Sequence, residues 1–198
     1  YRDIHVPESA FERDARWEQM EGFVGRLGEK AAGLGRSFGV KFTNTLIVEN
    51  RRAFFPATEK EMYLSGPPLH VLALNLVHEF RKVFGARFPI SFSAGVDRGN
   101  FADCVALGLT PVTVCSDLLQ PGGYARASRY FEPLLARMSE LGTKTIPEYV
   151  IRAFGLGASG LEGVAGLDPQ SRDRCASALA SGGDLTAVAG SDAIGRWA

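Results

Sequence analysis

Apolar and polar residues alternate in blocks between residues 38 and 119, and the blocks predict strand, long loop, helix, strand, helix and strand in that order. The predicted strands begin with short apolar runs at residues 38–42, 88–92 and 111–115, and the first strand is expected to continue to residue 48. Two helices are predicted, over residues 65–84 and 97–107, and the first carries its apolar residues on one stripe. Strands that alternate with helices are parallel and joined by right-handed crossovers. The pattern therefore predicts an α/β fold.

Helices are predicted on both sides of this region. Apolar residues near helical spacing predict a long amphipathic helix over residues 9–37 and another helix over residues 124–141. Each glycine inside the first helix costs about 1 kcal/mol relative to alanine, so that helix must be stabilised by packing against the sheet. Five such glycines occur: Gly22, Gly25, Gly28, Gly33 and Gly35.

The character of the chain changes after residue 145. Residues 146–154 predict a short helix, residues 155–166 read as a glycine-rich linker, and Asp168-Pro169 begins another predicted helix. Residues 182–198 are small and polar apart from Trp197. We therefore divide the chain into an α/β segment over residues 1–145 and a helical appendage over residues 146–198.

Small or polar residues follow each predicted strand. The tripeptides are Thr43-Asn44-Thr45, Ser93-Ala94-Gly95 and Cys115-Ser116-Asp117. In parallel α/β folds, ligands bind beyond the carboxyl ends of the strands, where backbone N–H groups converge. We therefore expect a ligand-binding rim at this edge, although Asn and Thr also satisfy strand-end amides in ordinary loops and Gly95 also suits a simple tight turn.

Composition limits the partners and the location expected for the protein. The chain has 198 residues, with 22 basic and 22 acidic side chains, so its charge favours neither nucleic acid nor an anionic membrane as partner. No apolar run approaches the roughly 20 residues of a membrane-spanning helix, and the N-terminus lacks the pattern of a signal peptide. The three cysteines are widely spaced, which predicts neither a disulfide framework nor a zinc site and favours a reducing, cytoplasmic location. Because the chain opens on Tyr1, we expect it to be part of a longer protein or a processed subunit.

The strand-end motifs resemble a known family. Thr43-Asn44-Thr45, Leu64-Ser65-Gly66, Phe88-Pro89-Ile90 with Gly95, and Val114-Cys115-Ser116 occur in the order found in the C-terminal part of the flavin barrel of dihydropyrimidine and dihydroorotate dehydrogenases. Longer local motifs, including Glu-Met-Tyr-Leu-Ser-Gly at residues 61–66, resemble the large flavoprotein subunits of the selenate reductase type more closely still. The resemblance covers roughly residues 10–140 and implies about three βα units at the C-terminal end of a (β/α)8 TIM barrel. From the residues alone, an open Rossmann-type sheet fits as well.

The resemblance implies roles for individual residues. Thr43, Asn44 and Thr45 would face the substrate, with Asn44 as its hydrogen-bond partner. Six residues would bind an FMN cofactor, mainly through backbone N–H groups around its phosphate: Ser65, Gly66, Ala94, Gly95, Cys115 and Ser116. No catalytic residue and no metal ligand is assigned. From the sequence alone, Cys115 is expected to be a buried small hydrophobe.

Two departures from the family pattern matter. Ala94 stands where glycine is usual, at a position that requires positive φ or close approach of a ligand. The family's active-site cysteine and its flavin-contacting lysine would both lie before Tyr1, and Lys41 does not replace that lysine because it occupies a different strand position. We therefore do not expect this chain alone to be catalytically complete.

The resemblance implies a flavin-dependent oxidoreductase of several domains or subunits. Electrons would pass from NAD(P)H through flavins and iron–sulfur clusters to a reducible small-molecule substrate, with FAD and the clusters held elsewhere in the intact enzyme. Partners would be the rest of the barrel and the redox domains. The alternatives are a barrel segment without flavin that serves as a structural or docking module, and a stand-alone α/β phosphate-binding domain.

Overall fold

A computed structural model describes residues 4–43, 45–51 and 55–198. The chain forms two compact units. The first consists of Tyr1–Val96 and Thr110–Gly123, and the second of Asp97–Leu109 and Tyr124–Ala198. The division of the chain after residue 145 stays a prediction.

The first unit combines two small sheets with two helices. Its strands are β1 (Val40–Phe42), β2 (Leu46–Glu49), β3 (Glu61–Leu64) and β4 (Ile90–Phe92), and its helices are α1 (Trp17–Gly33) and α2 (His70–Phe84). Strands β1 and β4 pair in parallel, as predicted, with Val40 opposite Ile90 and Phe42 opposite Phe92. The predicted third strand is reduced to one parallel bridge between Phe92 and Val112. Pro111, which has no N–H, limits the ladder there.

The prediction of one strand over residues 39–48 is wrong. β1 ends at Phe42, and β2 begins at Leu46 in a different sheet, where it pairs antiparallel with β3. The predicted helix over residues 9–37 is shorter, because α1 runs only from Trp17 to Gly33.

Aromatic residues between α2 and the parallel strands form the core of the first unit. Phe80 of α2 and Ile90 and Phe92 of β4 are completely buried. The ring of Phe80 lies 5.4 Å from that of Phe42, centroid to centroid. A Cβ at Gly28 of α1 would lie 2.5 Å from the Phe88 ring, so this glycine permits the close packing that the glycines of α1 suggested.

The second unit is helical. Its helices are α3 (Phe101–Ala106), α4 (Phe131–Glu140), α5 (Ile146–Arg152), α6 (Gly157–Glu162), α7 (Pro169–Ser181), α8 (Leu185–Ala189) and α9 (Ser191–Trp197). The 3₁₀ helix Gly123–Tyr130 precedes α4, so the helix predicted over residues 124–141 is only partly α-helical. Two clusters of buried side chains hold the unit together, one around Tyr149 and the other around Cys175 and Trp197.

The end of the chain contains more helix than the sequence predicted. Residues 155–166, read as a linker, contain α6, and residues 182–198 contain α8 and α9. Trp197 is 7% exposed, and its Nε1–H donates to the carbonyl of Gly157 at 2.8 Å. Among the described residues, no helix has the length and apolar character to cross a membrane.

Candidate functional site

A cleft of about 370 Å³ opens beyond the carboxyl ends of β1 and β4 in the first unit. Twelve described residues line it: Lys41, Thr43, Thr45, Ser65, Gly66, Leu69, Ser93, Ala94, Gly95, Thr113, Cys115 and Ser116. Eight of the nine residues predicted to contact a substrate or cofactor are among them, and the ninth, Asn44, lies outside the described residues. The structure therefore brings the predicted segments together, while the role of each residue stays a prediction.

Backbone hydrogen bonds hold the three strand ends at one edge. The N–H of Thr43 donates to the carbonyl of Ser93 at 3.1 Å, and the N–H of Ser93 donates to the carbonyl of Phe42 at 2.7 Å. On the other side, the N–H of Thr113 donates to the carbonyl of Phe92 at 2.8 Å. These bonds extend the parallel ladder past the strands themselves, so the polar residues that follow them share one rim.

Two glycines let the backbone segments of the rim approach closely. Gly95 has φ +56°, and a Cβ there would lie 2.4 Å from Cα and 2.5 Å from N of Pro67. Gly66 has φ +78°, and a Cβ there would lie 2.8 Å from the Oγ of Ser116. Both positive φ and the absence of a side chain are required at these positions, as only glycine readily allows.

A histidine fixes the turn that contains Ala94. Nδ1 of His70, the first residue of α2, lies 2.8 Å from the carbonyl oxygen of Ala94. Because a carbonyl only accepts, Nδ1 must carry the proton of this hydrogen bond. The His70 ring also packs edge-on against Phe92, with centroids 5.7 Å apart. The helix and the cleft rim are therefore connected by one half-buried side chain, which the sequence analysis missed.

Replacing His70 with Phe is expected to lower the free energy of opening the rim by about 1–2 kcal/mol. Phenylalanine keeps a ring against Phe92 but leaves the carbonyl of Ala94 without this donor. Hydrogen–deuterium exchange of the backbone over residues 88–96, read by mass spectrometry, measures the change. His78→Phe is the control, since that side chain lies on the same helix but is 71% exposed. Equal exchange in both variants would contradict the assignment of a stabilising role to the His70 bond.

The cysteines differ in environment. The expectation that Cys115 is buried is wrong: it is exposed at the rim, directly before the 3₁₀ helix Ser116–Leu119. That helix has only four residues, so Ser116 does not begin a long helix with a developed dipole. Cys104, in the second unit, is buried, and burial together with Asp103 and Asp97 raises the pKa of its thiol to about 12. Cys115 is therefore the more accessible thiol of the two.

The cleft combines one cation with neutral polar groups. Lys41 is the one lining residue among those described whose side chain is charged at neutral pH. Three lining residues, Lys41, Leu69 and Thr113, were not expected at the site from the sequence, and Ser93 was expected there only as part of the strand-end tripeptide. Polar residues on a parallel strand were the available signal, because such strands are usually apolar on both faces.

Other features of the described residues offer less specific chemistry. No group of three or more His, Cys, Asp or Glu side chains in the described part of the chain is arranged to hold a metal ion. Larger clefts of about 480 and 520 Å³ exist, but one is lined by the ion-paired Glu49 and Arg51 and the other by the surface of α7 and α8. Neither contains the strand-end motifs.

Comparison with known proteins identifies the family. The family model described as "Oxidoreductase YgfK, N-terminal TIM-barrel domain" matches residues 1–154. The chain is 36% identical over 125 residues to proteins named "Putative oxidoreductase YgfK" from Escherichia coli K12 and from Escherichia coli O157:H7. The matched region is 63% of this chain but only 12% of each relative. No solved structure matches the chain. The chain belongs to the family of the N-terminal TIM-barrel domain of YgfK-type oxidoreductases.

Proposed function

We propose that this chain forms the C-terminal part of a TIM barrel in a larger oxidoreductase and that its cleft binds the phosphate end of FMN. The supporting observation is the meeting of three strand-end segments at one cleft, with glycines of positive φ at residues 66 and 95. Family membership supports a redox role. The relatives are about eight times longer than the matched segment, since it covers 12% of their length, and this supports the presence of further domains.

The residues of the cleft fit a phosphate. The hydroxyls of Ser65, Ser93 and Ser116 can donate hydrogen bonds, and the absence of a Cβ at Gly66 leaves room beside the Ser116 hydroxyl. Phosphate oxygens favour converging backbone N–H and hydroxyl donors with no side chain in the way. The cleft volume of about 370 Å³ lies within the range of small-molecule sites, about 300–1,000 Å³.

The chain's own residues would bind and orient rather than react. Ser65, Gly66, Ala94, Gly95, Cys115 and Ser116 would hold the cofactor. Thr43, Asn44 and Thr45, which follow β1 in the sequence, would orient the substrate, with Asn44 as its hydrogen-bond partner. When bound, FMN would supply the transfer of electrons from NAD(P)H, by way of FAD and iron–sulfur clusters elsewhere in the intact protein, to the reducible substrate. Resemblance to the selenate reductase type supports this scheme.

A second candidate function is that of a structural module without flavin. The observation that favours it is Ala94, which stands where related flavin barrels have glycine. Its side chain is 6% exposed, so the methyl group occupies space beside the rim. In this alternative the cleft would be a former flavin site that no longer binds the cofactor, and the chain would dock other redox domains.

The first test is the cofactor content of the full-length protein after anaerobic purification. FMN in a one-to-one ratio to protein, identified by absorbance and mass, is expected. Ser116→Ala is expected to weaken FMN binding about 10-fold, because a hydrogen bond to a charged group contributes about 1.5–3 kcal/mol. Ser128→Ala is the control, since the Ser128 hydroxyl is exposed, lies in the second unit and donates to the carbonyl of Ala125. Protein without FMN would favour the structural module.

A further inference from the structure

Lys41 lies on the side of β1 that faces away from α2. Successive side chains of a strand point to opposite faces, and the neighbouring Phe42 packs its ring against Phe80 of α2. Lys41 is paired in register with Ser91 of β4, so both occupy the face opposite the aromatic core. The Lys41 side chain is exposed and lines the cleft. The charged side chain of Lys41 therefore lies on the cleft side of β1, two residues before Thr43.

The composition of this face is unusual for a parallel strand. Such strands are typically apolar on both faces, because helices or a barrel interior cover them. Here the core side carries Ile90 and Phe92, whereas the opposite side and the rim carry Lys41, Ser91, Ser93 and Thr113. This arrangement leaves a polar surface where packing alone would favour valine or isoleucine.

The charge of Lys41 is not compensated within the cleft. None of the described lining residues is an aspartate or a glutamate, and in the described part of the chain no carboxylate forms an ion pair with Lys41. The hydroxyl-bearing residues around it can donate hydrogen bonds as well. A cation surrounded by neutral donors favours a ligand that carries negative charge on oxygen.

We propose that Lys41 binds an oxyanion of the ligand in this cleft, either the cofactor phosphate or a carboxylate of the substrate. The inference rests on the proposed function only in taking the cleft as a ligand site. It goes further, because neither the family resemblance nor the comparisons assign a role to Lys41. The shared chemistry is the pairing of an ammonium group with a carboxylate or phosphate oxygen.

The test compares the full-length wild-type protein with Lys41→Met, both freed of bound cofactor. Methionine keeps an unbranched chain and removes the charge. FMN, uncharged riboflavin and benzoate, an aromatic carboxylate, are titrated separately at low ionic strength. Lys41→Met is expected to weaken FMN or benzoate binding about 10-fold or more while riboflavin binding is unchanged. Lys41→Arg, which keeps the charge, is expected to retain most of the affinity.

The control is Lys30→Met, since Lys30 is an exposed lysine of α1 outside the cleft, and its affinities should equal those of the wild type. If Lys41→Met weakens the binding of FMN but not of benzoate, the oxyanion is the phosphate. If it weakens the binding of benzoate but not of FMN, the oxyanion is a substrate carboxylate. Lys41→Met that binds both anions as tightly as the wild type overturns the inference, as does a wild-type protein that binds neither.

The same titrations separate this inference from the proposed function. A wild-type protein that binds benzoate through Lys41 but binds neither flavin contradicts the proposed function and supports the inference. A wild-type protein that binds FMN, with Lys41→Met unchanged for both anions, supports the proposed function and overturns the inference. The unfolding temperatures of the variants show whether each variant is folded. They are expected to match the wild type, because Lys41 is exposed.

Discussion

Gly95→Ala is expected to lower the free energy of opening the cleft rim by about 3 kcal/mol or more. Two costs combine. An L-residue at positive φ costs about 1–2 kcal/mol, and overpacking adds about 1–3 kcal/mol. The added Cβ at Gly95 would lie 2.4 Å from Cα of Pro67 and 2.8 Å from the carbonyl carbon of Gly66. Both are backbone atoms, which cannot rotate away as the end of a side chain can.

Gly85→Ala is the control for the positive φ. Gly85 also has φ +56° and lies in the first unit, but a Cβ there would meet nothing within 4 Å. Gly85 has ψ −135°, so this variant carries the cost of a backbone conformation that L-residues rarely adopt, without any clash. A larger effect of Gly95→Ala than of Gly85→Ala therefore shows that the close approach of segments 66–67 and 94–95 matters.

Hydrogen–deuterium exchange of the full-length protein measures the effects of Gly95→Ala and Gly85→Ala. Faster exchange over residues 88–96 in Gly95→Ala is expected by about 100-fold, since each 1.4 kcal/mol corresponds to a factor of ten. FMN binding should be lost in the same variant if the proposed function is correct, and retained in Gly85→Ala. Similar exchange in the two variants would show that the close approach of Gly95 to Pro67 does not stabilise the rim.

Local signals in the sequence were enough to predict the parallel pair and its helix. The apolar runs correspond to β1 and β4, and Pro67-Pro68 begins a 3₁₀ turn that leads into α2. Gly85, with φ +56°, ends that helix as predicted. Each of these features depends on residues close together in the chain, so the periodicity and the turn residues specify them directly. The strand-end residues of the cleft follow from the same pattern.

The errors occur where contacts distant in sequence decide the structure. The pairing of β2 with β3 joins Leu46 to Leu64, and nothing local requires the chain to leave β1 before Thr45. Likewise, two of the six residues of α6 are glycines, which lowers its helix propensity, but the Trp197 indole donates a hydrogen bond to Gly157 from 40 residues away. Tertiary packing overrides local propensity in both cases.

Lys41 shows a different kind of limit. From the sequence alone, Lys41 is only a residue that does not replace the family's flavin-contacting lysine. Its significance depends on which face of β1 it occupies, and this is established by the contact between Phe42 and Phe80. Strand alternation combined with that one contact would have placed Lys41 on the cleft side.

Glu148→Gln is expected to destabilise the second unit by about 2–3 kcal/mol at neutral pH, because it removes a buried carboxylate with three donors. Oε2 of Glu148 accepts the N–H of Lys144 at 3.0 Å. Oε1 accepts the N–H of Thr186 at 3.1 Å and its hydroxyl at 3.2 Å. The side chain is 4% exposed and so ties the start of α5 to the start of α8. A glutamine would present an amide N–H₂ to at least one of these donors.

The pH dependence of this effect has a definite sign. Burial pushes the pKa of Glu148 upward, but the hydrogen bonds donated chiefly by Lys144 and Thr186 outweigh it and lower the pKa to about 2, from 4.5. Because the folded pKa is the lower one, the carboxylate stabilises the fold fully above pH 4.5. This stabilisation, about 3 kcal/mol, is lost as the pH falls from 4.5 through 2.

Comparison of wild type and Glu148→Gln by hydrogen–deuterium exchange at each pH tests this account. At pH 6 the variant should exchange about 100-fold faster over residues 144–152 and 184–190, and the ratio should shrink steadily below pH 4.5. Glu162→Gln, at an exposed glutamate of α6, is the control and should match the wild type throughout. A ratio for Glu148→Gln that stays constant between pH 6 and pH 3 would mean that the variant acts through packing, because only an ionised carboxylate makes the loss depend on pH in that range.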